Sequence, residues 1–359
     1  MSTIRPYCFN AGPATLPYEV LKQIQDNFFN FNGLSVLEIS HRSKEFDEII
    51  AHSKALFIEL MNIPDNYEIL FLQGGASHQF AMIPLNLMDK SADYVITGHW
   101  SKRAYSEAKI IGDAKIIFTS EYSNFSNVPK SYQIQPTPNA SYVHITTNNT
   151  IYGTEFHEIP DTHDIPLIAD MSSDILSRPV DVSKFGLIYA GAQKNIGPAG
   201  ATLVIIRKDL IAKSYRNLPN ILKYSTHAEN NSLYNTPPVF AIYTMFLVLQ
   251  WIKKNGGLKE LEKINIEKAQ TLYNEIDASC FYKPNAQKES RSNMNITFTL
   301  PNDDLTQKFI QEAKERNITG IKGHRKIGGI RASLYNAVTI DDVNVLVSFM
   351  KEFRRRLDF

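Results

Sequence analysis

The sequence has little cysteine, no long unbroken apolar run and almost no net charge. Cys8 and Cys280 lie far apart and lack the spacing of metal ligands, which favours a reduced protein of the cytoplasm without a bound metal. The longest apolar stretch, residues 239–252, is too short to span a bilayer and predicts a buried helix. Residues 1–6 show no apolar run after their charge, so no signal peptide is expected.

The charges of the chain nearly cancel. Its 38 basic and 37 acidic residues leave a formal net charge of +1, so there is no global field to hold nucleic acid or an anionic membrane. Positive charge for a strongly anionic ligand must therefore be gathered locally. The spaced glycines of dinucleotide-binding loops and the phosphate loop ending in Gly-Lys-Ser/Thr are both absent. Their absence argues against a nicotinamide dehydrogenase and a nucleotide kinase.

The first part of the chain alternates between helical and strand-like patterns. Apolar residues recur with helical spacing in residues 19–29 and 45–60. Short apolar runs typical of strands cover residues 67–72, 92–97, 115–119, 142–146, 166–169, 187–189 and 201–207. Such runs, buried on both faces and separated by helices, predict an α/β fold with a mostly parallel sheet.

The pattern changes after the helix of residues 239–252. The remaining chain predicts helices over residues 260–278, 304–316 and 339–356, and strands over residues 293–300 and 329–334. Thr339 and Asp342 have the spacing of a capping box at the start of the last helix. We therefore expect a large domain of residues 16–259 and a smaller α+β domain of residues 1–15 and 260–359.

The most informative segment is residues 187–200, where an apolar strand runs into a turn of small residues with a single lysine, Lys194. At the end of a sheet the ammonium group would lose hydration, which favours the neutral amine that Schiff-base chemistry requires. A solvated loop lysine is the alternative, since most lysines are exposed.

Asp170 strengthens the first interpretation of Lys194. It directly follows the strand of residues 166–169, upstream of the lysine. In an open α/β sheet both side chains would project into the ligand crevice beyond the strand ends. A carboxylate placed there can keep a pyridine nitrogen protonated, which makes the ring an electron sink. A helix-capping aspartate is the other interpretation.

Two further features fit a phosphorylated aromatic ligand. Residues 73–79 (QGGASHQ) lie between a strand and a helix, where backbone N–H groups and the helix start can bind a phosphate. Trp100 follows the strand of residues 92–97, in a position to stack on a flat ring. Each has an ordinary alternative, which is a simple turn for the glycines and a core position for the tryptophan.

Basic residues recur as His41 with Arg42, as His324 with Arg325, and as Arg331. The planar fork of arginine suits carboxylates and phosphates. Each pair taken alone is more often part of a solvated face. Together they can supply the local positive charge that a nearly neutral chain needs for an anionic substrate.

Together with Lys194 and Asp170, five short motifs carry a resemblance to a known family. The sequence resembles the phosphoserine aminotransferases, within the class-V, fold-type I pyridoxal-phosphate enzymes. The motifs are residues 9–14 (FNAGPA), 38–43 (EISHRS), 189–195 (YAGAQKN), 234–238 (YNTPP) and 329–336 (GIRASLYN). They span nearly the whole chain, and GAQKN with the later RAS is specific to this family. The resemblance implies pyridoxal 5'-phosphate as cofactor, a large domain that binds it and a small domain that clamps the substrate.

The resemblance also implies a role for each matching residue. Lys194 would be the Schiff-base lysine, and Asp170 the partner of the pyridine nitrogen. Trp100 would stack on the ring, and Thr150 would bond its oxygen. The remaining cofactor contacts would come from Ala76, Ser77 and Gln193 at the phosphate, and from Asn235 and Thr236 of the neighbouring subunit of a homodimer.

On the substrate side, the resemblance implies that Arg331 binds the α-carboxylate. It assigns the substrate phosphate to a cluster shared across the dimer, made of His41, Arg42, His324 and Arg325. Some members of the family carry an arginine in the glycine loop, where this chain has Ser77 and His78. The hydroxyl of Ser77 can still bind the cofactor phosphate. The positive charge that the arginine provides at the substrate phosphate would come from other residues or would be missing.

The implied activity is transfer of the amino group of L-glutamate to 3-phosphooxypyruvate, which yields 2-oxoglutarate and O-phospho-L-serine for serine biosynthesis. Formation of 4-phosphooxy-L-threonine for pyridoxine biosynthesis stays open. Two alternatives stay open as well. One is another fold-type I enzyme such as a desulfurase, for which Cys8 and Cys280 are poor nucleophile candidates, and the other is a non-catalytic oligomer that binds the cofactor.

Overall fold

The computed structural model describes residues 5–213 and 215–357. The helices within these ranges are α1 (Tyr18–Asn27), α2 (Lys44–Met61), α3 (Gly75–Leu87), α4 (His99–Ile111), α5 (Lys208–Ile211), α6 (Tyr224–Glu229), α7 (Val239–Lys254), α8 (Gly257–Asp277), α9 (Asp303–Glu315) and α10 (Ile340–Arg355). The strands are β1 (Tyr7–Cys8), β2 (Tyr67–Leu72), β3 (Ser91–Ile96), β4 (Asp113–Thr119), β5 (Val143–Thr146), β6 (Asn148–Asn149), β7 (Thr154–Glu155), β8 (Leu167–Asp170), β9 (Leu187–Gly191), β10 (Thr202–Arg207), β11 (Lys283–Pro284), β12 (Asn295–Thr299), β13 (Ile318–Thr319) and β14 (Ile330–Ser333).

Seven strands form the central sheet, in the order β2-β10-β9-β8-β5-β3-β4. Strand β10 runs antiparallel to both of its neighbours, and the other neighbouring strands pair in parallel. Strands β8 and β9 are buried along their whole length. The predicted α/β fold with a mostly parallel sheet is confirmed.

Apolar residues on the two faces of this sheet belong to two separate clusters. On one face, Phe46 of α2 and Ile242 of α7 are buried with Ile188 of β9. On the other face, Phe80 of α3 is buried with Tyr189 of β9. Successive side chains of a strand point to opposite faces, so neighbouring residues of β9 contribute to different clusters. Because helices cover both faces, these strands are apolar throughout instead of alternating with polar residues.

A third cluster surrounds the antiparallel sheet β11-β12-β14 in the C-terminal part of the chain. It contains Phe309 of α9, Met350 of α10 and Phe9, which follows β1. Strand β1 pairs in parallel with β13, so part of the N-terminal segment packs here. Residues 1–4, which the sequence assigns to the same domain, lie outside the described residues. Helix α8 contributes Leu261 to the cluster that contains Phe46 and Ile188, and Leu272 to the C-terminal cluster.

The observed elements lie close to the predicted ones, with ends that differ by a few residues. The predicted capping box is present, because Asp342 N donates to Thr339 Oγ1 (3.1 Å) and Thr339 N donates to Asp342 Oδ2 (2.8 Å). The hairpin of β6 and β7 is not predicted from the sequence, since two-residue strands leave no periodic pattern. Among the described helices, none combines the length and the apolar character needed to cross a membrane.

Candidate active site

Four predicted residues meet beyond the carboxyl ends of the parallel strands. Asp170 is the last residue of β8, Lys194 follows β9 after a short turn, and Thr150 lies in the turn between β6 and β7. Trp100 lies in the first turn of α4, which follows β3. Parallel strands end on the same side of a sheet, so residues distant in the sequence converge there.

Lys194 lies at the centre of this group. Its Nζ donates a hydrogen bond to Thr150 Oγ1 (2.6 Å) and lies 5.8 Å from the centroid of the Trp100 ring. Burial lowers the pKa of Lys194 to about 8, with Asp170 opposing the shift and Arg331 adding to it. A larger fraction of this amine is neutral at physiological pH than for an exposed lysine, and the neutral amine is the nucleophile.

Asp170 is 5% exposed and is held by hydrogen bonds on two sides. Ser172 N donates to its Oδ1 (2.9 Å), and Thr147 Oγ1 donates to its carbonyl oxygen (3.1 Å). Within the described part of the chain, Asp170 forms no salt bridge. Its negative charge is therefore available to a positively charged atom of a ligand.

The N-terminal FNAGPA phrase contacts the segment that carries Lys194. Ala14 N donates to Gln193 O (2.9 Å), and Tyr335 Oη donates to Ala11 O (3.0 Å). Gly12 has a φ of +136°, and an added Cβ would lie 3.3 Å from Lys194 Cγ. A larger residue would be strained there and would press on the lysine stem.

The glycine turn leads directly into α3. Gly74 has a φ of +84°, and an added Cβ would lie 2.5 Å from His78 Nδ1. Helix α3 begins at Gly75, so Ala76 and Ser77 lie in its first turn. Backbone N–H groups in a first turn have no acceptor inside the helix, which makes them suitable donors to a phosphate.

Asn235 and Thr236 lie beside this turn. Gln73, just before the glycines, donates from Nε2 to Thr236 O (2.7 Å). Both residues are exposed, and within the described residues the hydrogen bonds at their polar atoms join them to Gln73 and to each other. Their side chains are thus accessible to another molecule and do not reach Lys194 of the same chain by hydrogen bonds.

Arg331 extends from β14 to the hairpin that carries Thr150. Its Nη1 donates to Thr150 O (3.4 Å), and its buried Nε has no hydrogen-bond partner among the described residues. Burial lowers the pKa of Arg331, and no described carboxylate forms an ion pair with it. An arginine held in this way is suited to bind an anionic ligand, because its planar donors match a carboxylate.

The two His-Arg pairs have different surroundings. The ring centroid of His324 lies 6.2 Å from that of His99, and burial followed by the charge of Arg331 lowers the pKa of His324. His41 and Arg42 lie in the turn before α2. Within residues 5–213 and 215–357, neither His41 nor Arg42 forms a hydrogen bond or an ion pair with the other predicted site residues. A single chain therefore joins His324 to the site, but not the earlier pair.

Several residues near the site have no sequence pattern that marks them. The single hydroxyl proton of Thr147 is shared between the Asp170 carbonyl oxygen and Asp174 Oδ1 (2.6 Å), and burial raises the pKa of Asp174 to about 7. Lys326 and His99 are in contact although 227 positions separate them. A contact between residues this far apart leaves no local periodicity, and only the fold reveals it.

The donor set fits pyridoxal 5'-phosphate. The aldehyde needs an amine of lowered pKa, which Lys194 provides, and a protonated ring nitrogen needs a buried carboxylate, which Asp170 provides. The indole Nε1 of Trp100 is buried, and no atom in the described part of the chain forms a hydrogen bond with it. Buried polar atoms are usually paired, so an unpaired one beside Lys194 is expected where a ligand completes the site.

Comparison with solved structures supports the same fold and chemistry. A phosphoserine aminotransferase from Bacillus circulans subsp. alkalophilus is 48% identical, with a TM-score of 0.96 over 98% of this chain and 99% of that one. A phosphoserine aminotransferase structure that concerns radiation damage of the Schiff base is 47% identical, with a TM-score of 0.96 over 99% of this chain and 100% of that one. The cofactor is accordingly pyridoxal 5'-phosphate.

Comparison of sequences leads to the same family. Residues 6–346 match the family model of aminotransferase class-V. The phosphoserine aminotransferase of Bacillus subtilis (strain 168) is 53% identical over 352 residues, which cover 97% of this chain and 98% of that protein. The chain therefore belongs to the class-V aminotransferases and, within them, to the phosphoserine aminotransferase family.

Proposed function

We propose that the chain transfers the amino group of L-glutamate to 3-phosphooxypyruvate, forming O-phospho-L-serine and 2-oxoglutarate for serine biosynthesis. The observation that carries this proposal is the half-buried Lys194, whose amine lies beside Thr150 and within the field of Asp170. The identity to phosphoserine aminotransferases over nearly the full chain supports the phosphorylated substrate.

The cofactor, when bound, supplies an aldehyde that takes up the amino group and a ring that stores the electron pair of the substrate α-carbon. Lys194 would hold it through Nζ, and Asp170 would stabilise the protonated ring nitrogen. Trp100 would lie against the ring, and Thr150 would bond the ring oxygen. The phosphate of the cofactor would be bound by Ala76, Ser77 and Gln193.

Lys194 would also move the proton. Displaced by the incoming amino group, its Nζ would take the proton from the α-carbon of L-glutamate and, in the second half-reaction, return one to the α-carbon of O-phospho-L-serine. The site lowers the pKa of this amine to about 8, and a pKa near the working pH is best for a group that both accepts and donates protons. Thr150 would keep the amine in place.

Arg331 would bind the α-carboxylate that all the amino-acid substrates share. Arg331→Ala is therefore expected to lower kcat/KM for both L-glutamate and O-phospho-L-serine, by about ten- to a hundredfold, because one charge-assisted contact is worth about 1.5–3 kcal/mol. Steady-state kinetics with both substrates measure the effect. A change within roughly twofold for both would mean that Arg331 does not bind the α-carboxylate.

The other end of the substrate needs a second group of positive charges. His324 and Arg325 would supply part of it, and His41 and Arg42 of a second subunit would supply the rest in a homodimer. Exposed apolar residues in the segment that precedes His41 and Arg42 support an interface there, since Phe29 and Leu34 are 85% and 57% exposed. The exposed Asn235 and Thr236 would then reach the cofactor phosphate of the other subunit.

Arg42→Ala is expected to raise KM for O-phospho-L-serine by about tenfold or more, because a charge-assisted contact to the phosphate is lost. It should also weaken the binding of L-glutamate, whose γ-carboxylate would occupy the same site. Kinetics combined with sedimentation of the variant separate a lost contact from a lost dimer. Equal small effects of Arg42→Ala and Arg331→Ala on all substrates would refute the anion site but not the aminotransferase.

An absorption spectrum tests the function directly. The pure protein with its cofactor should absorb in the visible range, lose that band on addition of L-glutamate, and regain it with 3-phosphooxypyruvate. A desulfurase would instead release sulfide from cysteine, and a non-catalytic oligomer would show no change with glutamate. The same spectrum with the 2-oxo form of 4-phosphooxy-L-threonine decides whether pyridoxine biosynthesis is a second role.

We also propose that residues 16–259 form the domain that binds the cofactor, and that residues 1–15 and 260–359 form the domain that clamps the substrate. The separate apolar cluster of the C-terminal part supports this division. The free thiols of Cys8 and Cys280 support a reducing cytoplasm as the place of the reaction.

A further inference from the structure

His99 and Lys326 form a contact at the edge of the proposed active site. His99 begins α4, and its ring centroid lies 5.1 Å from that of Trp100. Lys326 lies in the loop that precedes β14, and its Nζ is 3.1 Å from His99 Nδ1. The contact connects the helix that carries Trp100 to the strand that carries Arg331.

The chemistry of this contact determines the state of His99. A lysine ammonium has only donors, so His99 Nδ1 must accept the hydrogen bond and carries no proton. Burial, followed by the charges of Lys326 and His324, lowers the pKa of His99 to about 4. The ring is therefore neutral at pH 7, and its one proton is on Nε2, which is a further donor.

The loop that carries Lys326 is closed on itself. Ile327 N and Gly328 N both donate to His324 O at 2.9 Å. Gly323 packs so closely against this turn that an added Cβ would lie 1.9 Å from Gly328 O. The turn keeps Lys326 close to His324, which the proposed function places at the phosphate of the substrate.

Positive charge dominates around this pair. The Arg103 guanidinium lies 5.7 Å from the centroid of the Trp100 ring, and Arg103 and Arg325 both contribute to the lowered pKa of His99. In the part of the chain that the structure describes, no carboxylate forms a salt bridge with any of the five residues His99, Arg103, His324, Arg325 and Lys326. The positive charges among these residues are those of Arg103, Arg325 and Lys326. They repel one another, and a bound dianion offsets this repulsion more than a monoanion does.

We propose that Lys326, held in place by His99, is a specificity-determining residue that favours the phosphorylated substrates over L-glutamate. The inference rests on the proposed function, in which one site alternates between a phosphate dianion and a γ-carboxylate. The energy of a charge pair is proportional to the charge of the ligand, so Lys326 contributes about twice the binding energy toward the phosphate. His99 is a positioning residue, because it acts on the ligand by fixing the ammonium group of Lys326.

Lys326→Met tests this role with the holoenzyme. It removes the charge and keeps an unbranched side chain that is shorter by one atom. We expect KM for O-phospho-L-serine to rise about tenfold, which is the effect of one charge-assisted contact, and KM for L-glutamate to rise about threefold, because half the binding energy corresponds to the square root of that factor. Lys322→Met is the matched control, since Lys322 is exposed on the same loop, and both KM values should stay within about twofold of wild type.

Two variants of His99 separate positioning from simple packing. In His99→Asn the amide oxygen can still accept from Lys326 Nζ, so discrimination between the two substrates should be retained. In His99→Leu the acceptor is lost. The preference for O-phospho-L-serine over L-glutamate should then fall toward that of Lys326→Met. The double variant of His99→Leu and Lys326→Met should be no worse than Lys326→Met alone, because both changes remove the same interaction.

Binding of inorganic phosphate gives a readout that does not depend on turnover. A calorimetric titration of the holoenzyme with inorganic phosphate measures this binding. It should show about tenfold weaker binding for Lys326→Met and unchanged binding for Lys322→Met. Equal fold-changes in KM for both substrates, or unchanged phosphate binding, would overturn the role of Lys326. Failure of the wild-type enzyme to use 3-phosphooxypyruvate while still reacting with L-glutamate would instead overturn the proposed function.

Discussion

Lys194→Ala is expected to give a folded protein that lacks the visible absorption band of the bound cofactor and has lost at least about 10³-fold in kcat. Two functions of one amine disappear together, the covalent hold on the cofactor and the transfer of the proton, and proton transfer by a positioned side chain alone is worth roughly 10²- to 10⁴-fold. The fold should survive, because the only hydrogen bond of Nζ within the described residues is the one to Thr150. Absorption, circular dichroism and steady-state kinetics measure the three parts of this expectation.

Lys184→Ala provides the control for Lys194→Ala. Lys184 is exposed and lies before β9, at the end of the strand opposite to Lys194. Its removal should leave the spectrum unchanged and kcat within about twofold of wild type. Reduction with borohydride followed by peptide mapping identifies the modified lysine in the wild-type protein. An imine that borohydride still reduces in Lys194→Ala would assign the cofactor to another lysine and contradict the mechanism.

Asp170→Asn is expected to keep the cofactor bound and to raise the activation barrier by about 3–5 kcal/mol, the scale on which buried charge partners act, which lowers kcat roughly 10²- to 5 × 10³-fold. The amide has the shape of the carboxylate and can still accept the hydrogen bond from Ser172 N. It cannot balance a positive charge on the ring nitrogen, so the ring stores the electron pair of the α-carbon less well. Single-turnover kinetics with L-glutamate measure the proton-transfer step.

The same substitution should change the pKa of Lys194. The negative charge of Asp170 raises this pKa, and burial lowers it to about 8. Without that charge the pKa falls further, so the apoenzyme amine should begin to react with an aldehyde at a lower pH.

Asp174→Asn is the matched comparison. Burial raises the pKa of Asp174 to about 7, so this carboxyl is partly neutral already and its removal should shift the pKa of Lys194 less. Near-normal turnover of Asp170→Asn would mean that another group protonates the ring.

The positions of Lys194 and Asp170 at the ends of two neighbouring strands were predictable, because a short apolar run typical of a buried strand precedes each of them. Parallel strands end on one side of their sheet, so residues that follow two such strands are expected to lie close together before any coordinates are known. The same reasoning applies to Trp100 after β3. Thr150 could not be placed in this way, since it lies in a hairpin of two-residue strands that leaves no pattern, and the role expected of it came from the resemblance alone.

The amino-acid order by itself determined the α/β fold, the order of most helices and strands, the family and the strand ends that carry the lysine and the carboxylate. These depend on local periodicity and short motifs, which the sequence displays directly. The tertiary structure decided which charges share a site. It joined Lys326 to His99 and Arg331 to the carbonyl of Thr150. Among the described residues of one chain, no carboxylate pairs with Arg331, and neither His41 nor Arg42 forms a hydrogen bond or ion pair with the other predicted site residues. Burial and the distances between charges set binding and pKa values, and both exist only once distant segments have packed together.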